Sequence, residues 1–214
     1  MALEKYRYLV VEGPIGVGKT SLARRLAQYA GASAMLEKPE ENPFLPRFYT
    51  DPARHALPTQ LFFLFQRINE VSELAQMDLF QARTVSDYLF DKDALFARLN
   101  LNDDEFTLYQ NIYNSLAPQA PSPDLVVYLQ APVETLFERV RRRAIAYEYP
   151  IAENYLERLS LGYSDFFHHY DAAPVLVVNC ENLNFVDNDE HFGLLLERIA
   201  GMRGQREFFS MGSD

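Results

Sequence analysis

Short apolar runs alternating with segments of helical periodicity predict an α/β fold with a mainly parallel sheet. Two of these runs, Leu125-Val126-Val127-Tyr128-Leu129 and Val175-Leu176-Val177-Val178, lack in/out alternation, as strands covered by helices on both faces must. A glycine-rich turn from Gly13 to Thr20 joins the first run to a helical pattern.

In chain order the expected strands are Tyr8–Glu12, Ala34–Leu36, Thr84–Ser86, Leu125–Leu129 and Val175–Val178, giving a five-stranded sheet. The helix after the glycine-rich turn is marked by Leu22, Leu26 and Tyr29. Between Thr59 and Ala75, Leu61, Leu64, Phe65, Ile68, Val71 and Ala75 fall on one arc at 100° per residue, predicting a core-facing stripe. Gln60, Phe63 and Arg67 share the neighbouring edge. From Val133 to Arg143, the buried stripe is Val133, Leu136, Phe137 and Val140, while Arg139 and Arg143 stack four apart. Pro118, Pro121 and Pro123 mark a turn before the fourth strand. Periodicity is lost from Gly201 to Asp214, and that tail is expected to fray.

The 214 residues suit one domain, with 48% hydrophobic and 23% charged residues, the balance of a globular core. A net charge of −10 argues against a nucleic-acid polymer or an anionic membrane as partner. It leaves room for a small anion in a local basic pocket. The single cysteine, Cys180, rules out an internal disulfide and fits a reducing compartment, where it packs at a strand end. The apolar runs are too short to span a bilayer or form a signal-peptide core, so a cytoplasmic protein is expected. His168 and His169 read as a solvent-facing helix pair.

Gly13-Pro14-Ile15-Gly16-Val17-Gly18-Lys19-Thr20 matches G-x-x-x-x-G-K-[ST] at every fixed position, between strand and helix as that motif requires. Glycines let the backbone curl so that successive N–H groups face a phosphate, and the helix N-terminus adds its positive dipole end. Lys19 can reach the β- and γ-phosphates, and the Thr20 hydroxyl can ligate Mg²⁺. A nucleoside triphosphate, ATP with Mg²⁺, is therefore the expected ligand. A hydrolytic switch needs an apolar strand ending in acids and loops that sense the γ-phosphate, and the fourth and fifth strands end without acids.

Two features suit a phosphoryl acceptor site instead. Arg139-Val140-Arg141-Arg142-Arg143 places four arginines within five residues of an acidic chain, where they can neutralise charge on a transferring phosphoryl group. The segment Leu36-Glu37-Lys38-Pro39-Glu40-Glu41 puts carboxylates just after the second strand, and a carboxylate there can accept the proton of an attacking hydroxyl. The pattern alone does not choose among Glu37, Glu40 and Glu41.

Taken together, the ordered set from Tyr8 to about Phe192 resembles the deoxynucleoside kinase family, in its bacterial branch of deoxyadenosine, deoxyguanosine and deoxycytidine kinases. Its parts are Gly13 to Thr20; Glu37-Lys38-Pro39 leading into Asn42-Pro43-Phe44-Leu45 and Phe48-Tyr49; Gln60 with Arg67; Ser86-Asp87-Tyr88-Leu89-Phe90; Arg139-x-x-x-Arg143 with Glu148; and Val177-Val178-Asn179. The resemblance implies a P-loop kinase fold with an arginine-rich, mobile lid around Arg139–Glu148, and a homodimer. It implies transfer of the ATP γ-phosphoryl to the 5′-hydroxyl of a deoxynucleoside. Glu37 resembles the general base, Tyr49 and Glu148 the pair that binds the sugar 3′-hydroxyl, and Gln60 the glutamine that reads the base edge. Arg67 matches a position beside the base, Arg139 and Arg143 look like lid arginines over the donor phosphates, and Asn179 to Asp189 resembles the adenine loop.

Two departures from the family pattern stand out. The family commonly carries an acid, arginine and serine at the end of the third strand, where this chain reads Ser86-Asp87-Tyr88 with no arginine. The metal role goes to Asp87, and Arg141 or Arg142 could offset the missing charge. Ile145 stands where many relatives carry a further lid arginine. Two other readings compete: a nucleoside monophosphate kinase resembling thymidylate kinase, disfavoured by the acids around Glu37, Glu40, Glu41, Asp51 and Asp87, and a nucleotide-dependent regulatory or binding protein.

Overall fold

The structure, a computed structural model, describes residues 3–77, 83–116 and 120–212. The glycine-rich turn lies between β1 (Tyr8–Glu12) and α1 (Lys19–Ala30), followed by β2 (Ser33–Met35). A 3₁₀ turn at Pro39–Glu41 leads into α2 (Leu45–Phe48) and the long α3 (Pro52–Met77). Then come β3 (Thr84–Ser86), α4 (Asp93–Asn100), α5 (Asp103–Leu116), β4 (Leu125–Gln130) and α6 (Val133–Arg143). The chain finishes with α7 (Glu153–His169), β5 (Val175–Asn179), α8 (Asp189–Gly201) and β6 (Arg206–Phe209).

The sheet has the order β2-β3-β1-β4-β5-β6, and every pairing is parallel. It holds six strands where five were expected, because the segment expected to fray supplies β6, with Val178 in register with Phe209. Arg206-Glu207-Phe208-Phe209 carries no apolar run, so nothing local announces a strand. Its place is set by Arg206, whose guanidinium donates to the carbonyls of Phe167 at 2.5 Å and Tyr170 at 2.8 Å, at the end of α7. Residues 213–214 lie outside the described residues.

Odd and even residues of the central strands serve opposite faces, as the lack of alternation predicts. Leu9, Val11, Leu125, Val127, Leu176 and Val178 pack with Leu22 and Leu26 of α1 and Leu195 and Ile199 of α8. Val10, Val126, Tyr128, Val175 and Val177 pack instead with Leu159, Tyr163 and Phe167 of α7. A third cluster, with Leu45, Phe48, Leu64, Val71 and Tyr109, joins α2, α3 and α5 beside the sheet.

The long helix begins at Pro52 and passes through Pro58, where Thr59 was the expected start. Leu64 and Val71 are buried as expected, but Phe65 is 48% exposed, since it lies at the rim of the arc rather than its centre. The side chain of Ala75, and Pro118, lie outside the described residues. The second strand begins one residue earlier than expected and ends at Met35. Cys180 is buried just after β5, and burial pushes its thiol up to about 12. His168 and His169 are exposed. No helix among the described residues is long and apolar enough to cross a membrane.

Candidate active site

Strand order reverses at β1, since the chain leaves β1 toward β2 and leaves β4 toward β5, on the other side. Such a reversal opens a crevice at the carboxyl ends of the strands. A cavity of 420 Å³ lies there. Its wall combines the turn from Ile15 to Thr20 with Glu37, Tyr49, Gln60, Arg67, Asp87, Arg139, Arg143 and Glu148. The site residues anticipated from sequence thus converge, except that Gly13 and Pro14 lie behind the wall. Gly13 belongs there for packing, because a Cβ on it would come 2.4 Å from the Leu129 carbonyl oxygen.

Gly16, at φ 86°, holds a left-handed turn that most side chains resist. Gly18 precedes α1 without a side-chain cap, so the first N–H groups of that helix face the cavity as an anion site. Lys19 bends back toward the Pro14 carbonyl at 3.4 Å. Burial, and after it the Lys92 ammonium, push Lys19 down from its ordinary value.

Asp87 joins the donor and acceptor sides of the cavity. Its Oδ2 accepts from the Thr20 hydroxyl at 2.5 Å, and its Oδ1 accepts from the Glu37 N–H at 2.7 Å. Burial raises its carboxyl pKa against the opposing pull of both donors and Lys19. One hydroxyl beside one carboxylate fits Mg²⁺ carried in on a nucleotide, an ion that keeps several waters and takes few protein ligands. Among the described residues no cluster of three or more His, Cys, Asp or Glu is arranged for a metal of its own.

Glu37 follows β2, and its side chain is paired with Arg67 of α3. Burial pushes the Glu37 carboxyl up, but Arg67, Lys92 and Lys19 outweigh it and hold it at about 2. Arg67 spans two carboxylates, Glu37 and the buried Asp93, and Asp93 also accepts from the Tyr109 hydroxyl. Sequence reasoning placed Arg67 beside the base and missed this chain of partners. Asp93 opens α4 with no local pattern that distinguishes it from an ordinary acid in the first turn of a helix, so the sequence carried no signal for it.

Gln60 and Tyr49 face the cavity from α3 and from the end of α2, where burial raises the Tyr49 hydroxyl well above its usual value. Asn42 tethers the loop between them and Glu37, its Nδ2 donating to the Thr59 carbonyl at 3.2 Å. Arg143 donates to Glu148 Oε1 at 2.9 Å, while Glu148 Oε2 is buried without a hydrogen-bond partner. Burial raises the Glu148 carboxyl, with Arg143 opposing. Arg139 donates to the Cys180 carbonyl at 3.0 Å and the Val17 carbonyl at 3.4 Å, so it already bridges α6 to the glycine-rich turn. Arg142 lines the cavity, but Arg141 lies over the Phe137 ring at 4.8 Å and does not. Glu40 and Glu41, the rival carboxylates, lie outside the wall.

Phe185, Val186 and Asp187 close the far end, within the stretch from Asn179 to Asp189 expected to hold adenine. Arg25 of α1 pins that stretch by donating to the carbonyls of Phe185 at 2.7 Å and Val186 at 3.0 Å.

Comparison with known proteins follows the same lines. The family model described as "Deoxynucleoside kinase" matches residues 9–202. A deoxyguanosine kinase of Bacillus subtilis is 32% identical over 90% of this chain and 94% of its own. A deoxyadenosine kinase of Lactobacillus acidophilus is 29% identical over 84% of this chain and 88% of its own. A solved deoxyadenosine kinase from M. mycoides, with dCMP and dCDP bound, shares the fold with a TM-score of 0.80 at 23% identity, covering 91% of this chain and all of that one.

Proposed function

The chain belongs to the deoxynucleoside kinase family, and from that premise we propose how its cavity carries out the transfer of an ATP γ-phosphoryl group to the 5′-hydroxyl of a deoxynucleoside. The observation that carries the reading is the single cavity wall holding a phosphate-binding turn at one end and Glu37 with Gln60 at the other. The donor triphosphate takes the N–H groups before and at the start of α1, with Lys19 at its β- and γ-phosphates. Thr20 and Asp87 would hold Mg²⁺, which when bound would neutralise charge on the phosphates. Arg139 and Arg143 close over the donor, and the stretch through Phe185 takes adenine.

The deoxynucleoside lies with its base edge on Gln60, whose amide donates and accepts at once. Its 3′-hydroxyl meets Tyr49 and the unpartnered Glu148 Oε2. Glu37 accepts a hydrogen bond from the 5′-hydroxyl and takes its proton as the new P–O bond forms. A carboxylate held at about 2 is a weak base, which suits a loose transition state in which the hydroxyl gives up its proton late. Its constant ionisation keeps it an acceptor at every working pH. A neutral acceptor also fits a wall where Glu37 and Asp93 already engage Arg67 and leave it no free charge for an acceptor phosphate.

The proposal includes a homodimer in the cytoplasm, checked by light scattering and by fractionation. The enzymatic test is ADP release from Mg·ATP against the four deoxynucleosides and their monophosphates, with deoxyadenosine and deoxyguanosine first because the relatives are named for them. Stimulation by nucleosides alone supports the reading; stimulation by monophosphates alone defeats it. Glu37→Gln is expected to lower turnover ~10²-fold while ATP binding persists.

A further inference from the structure

Most basic side chains of the cavity wall are already engaged. Arg67 is bound to Glu37 and Asp93, Arg143 to Glu148, and Arg139 to two backbone carbonyls. Arg142 is exposed on α6. Two lysines also line the wall, Lys19 of the phosphate-binding turn and Lys92, which ends a 3₁₀ turn at Phe90–Lys92 after β3.

Lys92 is 1% exposed, a costly position for an ammonium unless something recovers the lost hydration. Its Nζ lies 3.0 Å from Glu12 Oε1, with the rings of Phe96 and Tyr163 at 4.8 and 5.5 Å. Service as a plain counterion to Glu12 does not account for it. Glu12 already accepts from the Gly13 N–H at 2.9 Å, the Leu89 N–H at 2.8 Å and the Tyr163 hydroxyl at 3.0 Å. Three such donors stabilise an ionised carboxylate without an ammonium. What the position does achieve is proximity to the chemistry: Lys92 shares the wall with Lys19, Glu37 and Asp87. Its charge also acts on both ends, lowering the pKa values of the Glu37 carboxyl and the Lys19 ammonium. The residue after Asp87, by contrast, is the uncharged Tyr88.

We propose that Lys92 is a catalytic residue of this kinase, its ammonium held by Glu12 and walled by Phe96 and Tyr163 so that it binds the oxygens of the phosphoryl group in transit. The inference rests on the kinase reading above. In the step, the bond between the γ-phosphorus and the ADP oxygen breaks, the bond to the 5′-oxygen forms, and the 5′-hydroxyl proton passes to Glu37. Lys92 keeps its protons throughout and contributes only charge and donors. It thereby supplies near β3 the cation that no arginine after Asp87 provides, a task that Arg141, stacked on Phe137, does not reach.

The test compares Lys92→Met, Lys92→Arg and the double variant Glu12→Gln/Lys92→Met, which removes the buried carboxylate charge that methionine alone would strand. Expected for Lys92→Met is a fall in kcat of ~10²–10³-fold, as for loss of one transition-state donor, with the Kd of ATP and of the nucleoside each changed by much less. Lys92→Arg, still charged, recovers part of the rate. The double variant folds, shown by its melting curve, and remains slow. The ratio of rates with ATP and with ATP carrying sulfur on the γ-phosphorus shrinks in Lys92→Met, because the group that distinguishes oxygen from sulfur has gone. A double variant turning over within threefold of the unaltered protein, or an unchanged sulfur ratio, overturns the role of Lys92 and leaves the kinase reading intact. No nucleoside-dependent turnover in the unaltered protein overturns both.

Discussion

The pairing of Glu37 with Arg67 makes a quantitative demand on the pH dependence of the enzyme. Replacing Arg67 by Met alone would strand Asp93, which is fully buried, so the perturbation is Arg67→Met/Asp93→Asn, in which Tyr109 keeps an oxygen to donate to. Two opposite charges at ~4 Å and an effective dielectric constant near 20 attract by about 4 kcal/mol, equivalent to roughly 3 pH units. Glu37 lies at about 2 with the upward push of burial already included, so loss of the Arg67 attraction moves the carboxyl up to roughly 5. The assay is kcat/KM from pH 4.5 to 8 by ADP release, expressed as the ratio of variant to unaltered protein so that titration of ATP itself cancels. The ratio is expected to be flat above pH 7 and to fall by half or more by about pH 5. A ratio constant over the whole range would refute the claim that Arg67 keeps Glu37 ionised.

Three further outcomes follow from particular contacts. Gly16→Ala would bring a Cβ to 2.7 Å from the Leu136 carbonyl oxygen at a φ of 86°, and the combined strain of ~2–4 kcal/mol should weaken ATP binding at least tenfold by calorimetry. Glu148→Gln should lower kcat/KM for a 2′-deoxynucleoside by ~10–100-fold, the worth of a charged hydrogen bond, and have little effect on a 2′,3′-dideoxynucleoside. Equal losses on both substrates would remove Glu148 from the sugar site. Arg206→Ala removes the donors to the last carbonyls of α7, and at about 2 kcal/mol it should lower Tm by roughly 4–8 °C with kcat unchanged.

The sequence disclosed the glycine-rich turn because its pattern is local: Gly13 to Thr20 is contiguous, and its flanks carry their own periodicity. The arginine cluster was visible for the same reason, four charges in five residues of an acidic chain, and Arg139, Arg142 and Arg143 of it do line the cavity. The ionic network beneath the cavity was not. Glu12, Lys92 and Asp93 are each unremarkable in their segments, and Arg67 reads only as a neighbour of the base; their meaning comes from pairings across 26 residues or more that only the packed fold creates. The sixth strand escaped because Arg206 to Phe209 is defined by what it lies against, β5 and the end of α7, and not by its own pattern. Phe65 misled because helical periodicity gives an arc and not its edge.

Glu12 also bears on the order in which the molecule assembles. Its carboxylate closes contacts with Leu89, 77 residues away, and with Tyr163, 151 residues away, while the same oxygens fix the N–H of Gly13. Closing such long loops is slow compared with forming helices, so the nucleotide cradle is a late product of folding although its residues precede Leu89 and Tyr163 in the chain. A nascent or truncated chain that stops before α7 would hold β1 and the glycine-rich turn yet lack the brace that shapes them. Acquisition of ATP affinity then reports completion of the core, and refolding followed by a fluorescent nucleotide should lag behind the far-ultraviolet signal of the helices.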